Sequence, residues 1–119
     1  MHGVGSQLDL SAFCGLEVIQ VALGAHQIQL ALHPSGNISI EGRLELFSPD
    51  GLLAESGTPE DIASSSTCLQ SLVGASIDSA SPEPPKSVVF GFSSGHRLRL
   101  IDDSDRYESF QLNPGGIVV

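Results

Sequence analysis

The chain has no tryptophan, one tyrosine and only 5% aromatic residues, so branched aliphatic side chains have to fill its interior. Positive charge is scarce. Arg43, Lys86, Arg97, Arg99 and Arg106 stand against fourteen acids, a formal net charge of -9, and a field of that sign repels phosphate backbones and anionic lipid surfaces alike. This argues for no nucleic-acid and no membrane partner and permits a basic protein, whose encounter the field accelerates. Cysteine is nearly absent too. Cys14 and Cys68 are far apart and lie in no C-x-x-C or zinc spacing, which reads as two buried, reduced thiols in a cytoplasmic protein, with a disulfide as the alternative. No long apolar run occurs: the stretch from Leu16 to Leu32 is interrupted by Glu17, Gln20, His26, Gln27 and Gln29 and is not a membrane span. MHGVGSQ has neither a basic nor an apolar signal segment, and residues 1–7 read as a flexible tail.

What is present is globular. With 119 residues, 40% hydrophobic and 16% charged, the chain is expected to be a single domain spanning 1–119. A chain of this length buries only about two thirds of the surface it exposes when unfolded, so pairing with another copy, as a dimer or larger homo-oligomer, would enlarge its core.

Antiparallel strands dominate the expected organisation. Glu17–Leu23 and Gln27–His33 flank a reversal at Gly24-Ala25-His26, and Ile28, Leu30 and Leu32 share one face by the two-residue period. Asn37–Phe47 is the longest regular alternation, with Gly42 standing on its core face as a bend, a bulge or a point of close approach. Thr58-Pro59-Glu60-Asp61 is the best helix start and predicts a helix over Pro59–Val73, although Ser64-Ser65-Ser66-Thr67 make it depend on docking. Ala75–Ala80 reads as a strand, Ser81-Pro82-Glu83-Pro84-Pro85 as a stiff exposed loop, and Val88–Leu112 as strand, tight turn, strand, acidic turn, strand. Leu10–Val18 and Leu69–Ile77 match in their apolar positions and their glycine. Around Gly36 and Gly95 a second likeness follows. The expected class is α+β, mainly antiparallel β: two weakly duplicated hairpin units forming a small sandwich or curved sheet with one helix.

Chemistry-bearing motifs are few. Gly91-Phe92-Ser93-Ser94-Gly95 is a literal G-x-S-x-G, but the nucleophile elbow needs a helix after it, and here Arg97-Leu98-Arg99-Leu100 continues as a strand, so it reads as a hairpin turn. Asp102-Asp103-Ser104-Asp105 lacks the glycine and distal glutamate of a calcium loop. His26, His33 and His96 fall at strand ends with no zinc spacing, so neither a metal nor a cofactor is implied. The residues singled out for binding are Tyr107, Glu108, His96, Arg99 and Asp103. Glu108 leads them, because in a hairpin over Arg97–Leu112 it lies opposite either Leu100, buried, or Arg99, paired, depending on register.

With Ile40-Glu41-Gly42 early, and Arg106-Tyr107-Glu108-Ser109-Phe110 followed by Pro114-Gly115-Gly116 late, the chain resembles a group of small uncharacterised bacterial proteins with a Tyr-Glu-small-aromatic signature. Phe110 stands where tryptophan is common in that group, and the tail after the glycines is short. The resemblance implies an immunity-protein-like or mobile-gene-cassette role and transfers no catalytic residue. The expected function is a non-enzymatic, acidic, cytoplasmic binding protein that engages a protein partner. The alternative is a small-molecule binding or minor enzymatic domain with a pocket near Tyr107, Glu108 and His96.

Overall fold

The computed structural model describes residues 9–62, 68–102, 110–113 and 117–119. Within them the protein is mostly antiparallel β, with one short α-helix, α1 (Pro59–Ile62), and two short 3-10 turns, Ser11–Phe13 and Leu69–Leu72. The strands are β1 (Glu17–Leu23), β2 (Ile28–His33), β3 (Asn37–Ile40), β4 (Arg43–Phe47), β5 (Leu53–Gly57), β6 (Ile77–Glu83), β7 (Ser87–Phe92), β8 (Arg97–Ile101), β9 (Phe110–Asn113) and β10 (Ile117–Val118). They form two five-stranded sheets, in the orders β1-β2-β3-β9-β10 and β5-β4-β8-β7-β6.

Alternation decides which side of each strand is buried. In β2 Ile28, Leu30 and Leu32 turn inward, in β4 Leu44 and Leu46, and in β8 Leu98 and Leu100, and the two inner faces meet in one hydrophobic cluster. The 3-10 turns close that cluster with Leu10, Phe13, Leu69 and Leu72, and Phe13 meets Phe90 edge-to-face at 5.4 Å.

The long alternation of Asn37–Phe47 is not one strand of one sheet. It breaks at Glu41-Gly42, with β3 in the first sheet and β4 in the second, and the buried Gly42 is the corner between them. A second crossing lies between Ile101 and Phe110, and it overturns the expected Arg97–Leu112 hairpin. β8 pairs with β4 and β7, while β9 pairs with β3, Ile40 opposite Phe110, and with β10. Neither register considered for Glu108 therefore applies. Sequence proximity favours a hairpin, but the edge that β8 and β9 would have shared is taken on each by a strand from the first half of the chain, β4 on β8 and β3 on β9.

Two other expectations are corrected. The helix expected over Pro59–Val73 is α-helical at Pro59–Ile62 and 3-10 at Leu69–Leu72, residues 63–67 lie outside the described residues, and Val73 is extended. Serine and threonine are intrinsically weak helix formers, and Asp61 caps the start of α1, accepting from the Thr58 N–H and hydroxyl at 3.2 and 3.1 Å. The expected loop at Ser81-Pro82-Glu83 belongs to β6 instead. β6 is an edge strand, where proline's missing N–H costs no ladder bond. The tail at 1–7 lies outside the described residues.

The sheets are joined where β1 and β6 begin. Gly15 N–H donates to Ile77 O and Gly74 N–H to Val18 O, both at 2.7 Å, while Val18 N–H donates to Ala75 O at 2.9 Å and Ile77 N–H to Leu16 O at 2.8 Å. Glu17 faces Ser76 in an isolated bridge between these pairs. Both strands then bulge at once, between Val18 and Gln20 and between Ile77 and Ser79.

Candidate functional site

The most developed side-chain array is on the outer face of the second sheet. Because Leu44, Leu46, Leu98 and Leu100 point inward, Arg43, Glu45 and Phe47 of β4 and Arg97 and Arg99 of β8 point outward, with Val89 and Gly91 of β7 beside them. The ladder sets Glu45 opposite Arg99 opposite Val89, and Phe47 opposite Arg97 opposite Gly91.

Arg99 is at the centre. Its Nη1 donates to Glu45 Oε1 at 3.0 Å and its Nε to Glu83 Oε1 at 2.9 Å, and its guanidinium lies 5.7 Å from the centroid of the Phe47 ring. Partial burial pulls the Arg99 pKa down, but the hydrogen bonds to the two carboxylates and their charges outweigh it, and the net shift is upward. Arg99 is thus a fixed cation whose charge is compensated within the array. Val89 is buried although it faces outward, because these side chains cover it.

Phe47, Gly51, Glu83, Val89, Arg97 and Arg99 line a cavity of about 300 Å³. Arg97 is exposed and forms no hydrogen bond or ion pair among the described residues. The corresponding region of the first sheet holds a smaller hollow, about 150 Å³, lined by Gln20, Ala22, Gln29, Ala31, Gly36 and Asn37, all uncharged.

Of the residues singled out from sequence, Arg99 is in this array and His96 is not among those lining its cavity. The half-buried His96 sits in the β7–β8 turn, with Ser94 Oγ 2.8 Å from Nδ1 and Ser71 Oγ 3.3 Å from Nε2. Ser71 also donates to Cys68 O, so its contact with His96 needs the imidazole Nε2 to donate. Tyr107, Glu108 and Asp103 lie outside the described residues. The G-x-S-x-G segment is a turn: Phe92 N–H donates to His96 O, Gly95 N–H to Phe92 O, and Ser93 Oγ accepts from Ser76 N–H. Sequence reasoning missed Glu45, Glu83 and Phe47, because only strand pairing brings them to Arg99, and it did not single out Arg97, which the alternation of β8 places on the same face.

A second surface follows from β5, an edge strand. Leu52 and Leu53 are 67% and 52% exposed, and Asp50, Glu55, Glu60 and Asp61 of the same segment surround them in sequence. Asp50 orders the turn before β5, accepting from Ser48 Oγ and, at 3.1 Å, from Leu52 N–H. These two bonds hold its pKa below the usual 3.8. Both cysteines are free, but the expected burial is corrected: Cys14, just past the first 3-10 turn, is exposed and Cys68 is half-buried, and among the described residues no three His, Cys, Asp or Glu side chains gather to hold a metal. No described helix is long and apolar enough to cross a membrane. No family model, curated protein or solved structure matches the chain.

Proposed function

We propose that this chain is a non-catalytic binding protein that engages a basic protein partner through the β4–β5 turn, β5 and the start of α1. The observation that carries the reading is the exposed Leu52-Leu53 pair on an edge strand, flanked by Asp50, Glu55, Glu60 and Asp61. An apolar centre with a polar rim is the anatomy of a protein interface, and an acidic rim selects and steers a basic partner. An immunity-type role in bacterial cytoplasm, with a basic toxin as the partner, fits this surface and the net charge of -9. Self-association is the accompanying proposal, and sedimentation over a range of concentrations tests it: a strict monomer rejects it.

The duplicated-unit reading also belongs here. A constant spacing relates Gly15, Leu16, Glu17 and Val18 to Gly74, Ala75, Ser76 and Ile77, and the bonds between these residues exchange when the halves are exchanged. Two copies of one unit, each lending its last two strands to the other's sheet, account for that pattern. On this reading the outer face of one sheet kept amides and alanines, while the other acquired Arg97, Arg99 and Phe47.

The test of the binding role is co-expression with the products of the neighbouring genes, followed by size-exclusion chromatography at low and high salt. A complex that weakens with salt and is lost in Leu53→Lys supports the reading. Absence of any complex, or one indifferent to both salt and Leu53→Lys, rejects it.

A further inference from the structure

The geometry points to a second, separate site: the cavity between Phe47, Val89 and Arg97 binds a carboxylate carried on a flat apolar group. This inference rests on residues other than Leu52 and Leu53, and the two surfaces share only the β4–β5 turn at Gly51.

The array divides its two arginines by role. Glu45 and Glu83 occupy Nη1 and Nε of Arg99, so that residue is a wall of the cavity and carries little uncompensated charge. Arg97, two residues earlier on the same face of β8, keeps its whole donor fork among the described residues, and Glu45, its diagonal neighbour across the β4–β8 ladder, is committed to Arg99. In a chain of fourteen acids and five bases, an unpaired guanidinium beside a cavity is an available anion receptor. A planar fork matches a carboxylate with two parallel hydrogen bonds.

The remaining lining describes the rest of the ligand. Phe47 offers a ring held by the Arg99 guanidinium, and Val89 offers an apolar floor, together a surface for a flat hydrocarbon body. Gly91, opposite Arg97, has no side chain, and Ser79 Oγ fills that space, 2.5 Å from where a Cβ would stand. The volume is at the lower end of ligand pockets, which suits a ligand no larger than an aromatic acid. A bare anion such as phosphate satisfies the fork but leaves the apolar walls unfilled.

The test is a titration of the full chain followed by amide chemical shifts, with benzoate as the probe, benzamide as its neutral isostere, phosphate as the bare anion, and a short peptide ending in phenylalanine. Benzoate is expected to saturate at about millimolar concentration, shifting residues of β4, β8 and the Gly51 turn. Benzamide and phosphate are each expected to bind at least about tenfold more weakly. Arg97→Gln should lose benzoate binding by a similar factor while keeping its thermal midpoint, since Arg97 supports no other described residue, and Arg97→Lys should restore only part of it. If the peptide binds more tightly than benzoate, the natural carboxylate is a chain end, and if less, a free aromatic acid. Equal binding of benzoate and benzamide, no saturable shifts, or an unaffected Arg97→Gln overturns the proposal.

Discussion

Replacing Arg99 by methionine keeps most of the apolar stem of the side chain and removes the guanidinium, with its charge and donors. The loss can be worked out from its contacts. The side chain is 36% exposed, so each hydrogen-bonded ion pair, to Glu45 at 3.0 Å and to Glu83 at 2.9 Å, is discounted for solvent to about 0.5 kcal/mol. The contact with Phe47 adds about 0.5 kcal/mol. Removing the cation also leaves two carboxylates facing each other across on the order of 6 Å, a repulsion of about 1 kcal/mol in a largely aqueous dielectric. Arg99→Met is therefore expected to cost about 2–2.5 kcal/mol, a fall of about 8–10 °C in thermal midpoint for a domain of this size. Urea unfolding monitored by circular dichroism measures it, with an unchanged slope as the sign that only stability has moved. Most of the cost depends on the carboxylates. In a Glu45→Gln/Glu83→Gln background the same replacement should cost only about 1 kcal/mol, and in 1 M salt, where the screening length is about 3 Å, the original loss should shrink. A loss equal in both backgrounds, or below about 0.5 kcal/mol in the parent chain, refutes the account.

Four further outcomes are expected. Gly95→Ala places a Cβ 2.9 Å from Pro49 Cβ at a backbone φ of +93°, whereas Gly74→Ala, at φ +92°, meets nothing within 4 Å. Denaturation should find about 1–2 kcal/mol lost at Gly74 and at least a further 1 kcal/mol at Gly95. Leu98→Ala, at a fully buried position between Phe90 and Leu46, should cost about 3 kcal/mol by the same assay. Asp50 has a pKa held below 3.8, so it contributes stability that is present above that pH and is lost as pH falls through its folded value. Unfolding curves of Asp50→Ala should lie below the parent at neutral pH and converge with it in acid. Thiol titration of the native chain should modify the exposed Cys14 quickly and the half-buried Cys68 slowly, with both reactive and no reductant needed.

Local alternation made much of this architecture legible. β1 was expected at Glu17–Leu23 and is found there, and the inward sets of β2, β4 and β8 follow from a period of two. A core-facing position without a side chain marks Gly42 as a bend, a bulge or a point of close approach, and in the structure it is the corner between the sheets. What the sequence hides is which strand pairs with which. β8 and β9 are neighbours in sequence and members of different sheets, and nothing in Leu98 or Phe110 names Leu46 or Ile40 as its partner. The site was hidden for the same reason. Arg99 was noticed as a possible cross-strand ion, but Glu45 and Glu83 belong to strands whose positions only the pairing determines. His96, a site candidate from the sequence, lies within hydrogen-bond distance of Ser94 in its own turn and of Ser71.

The two crossings, at Gly42 and after Ile101, have a consequence for how the chain comes apart. A fragment ending after β5 contains three strands of one sheet and two of the other, and its own strands cannot complete either. Halves made separately would present open strand edges and unfilled apolar faces until each found the other, so they should recover structure only by complementation, and an excess of one half invites exchange of strands between molecules. The two sheets share one core and exchange strands, so unfolding of the described residues is expected to be a single transition.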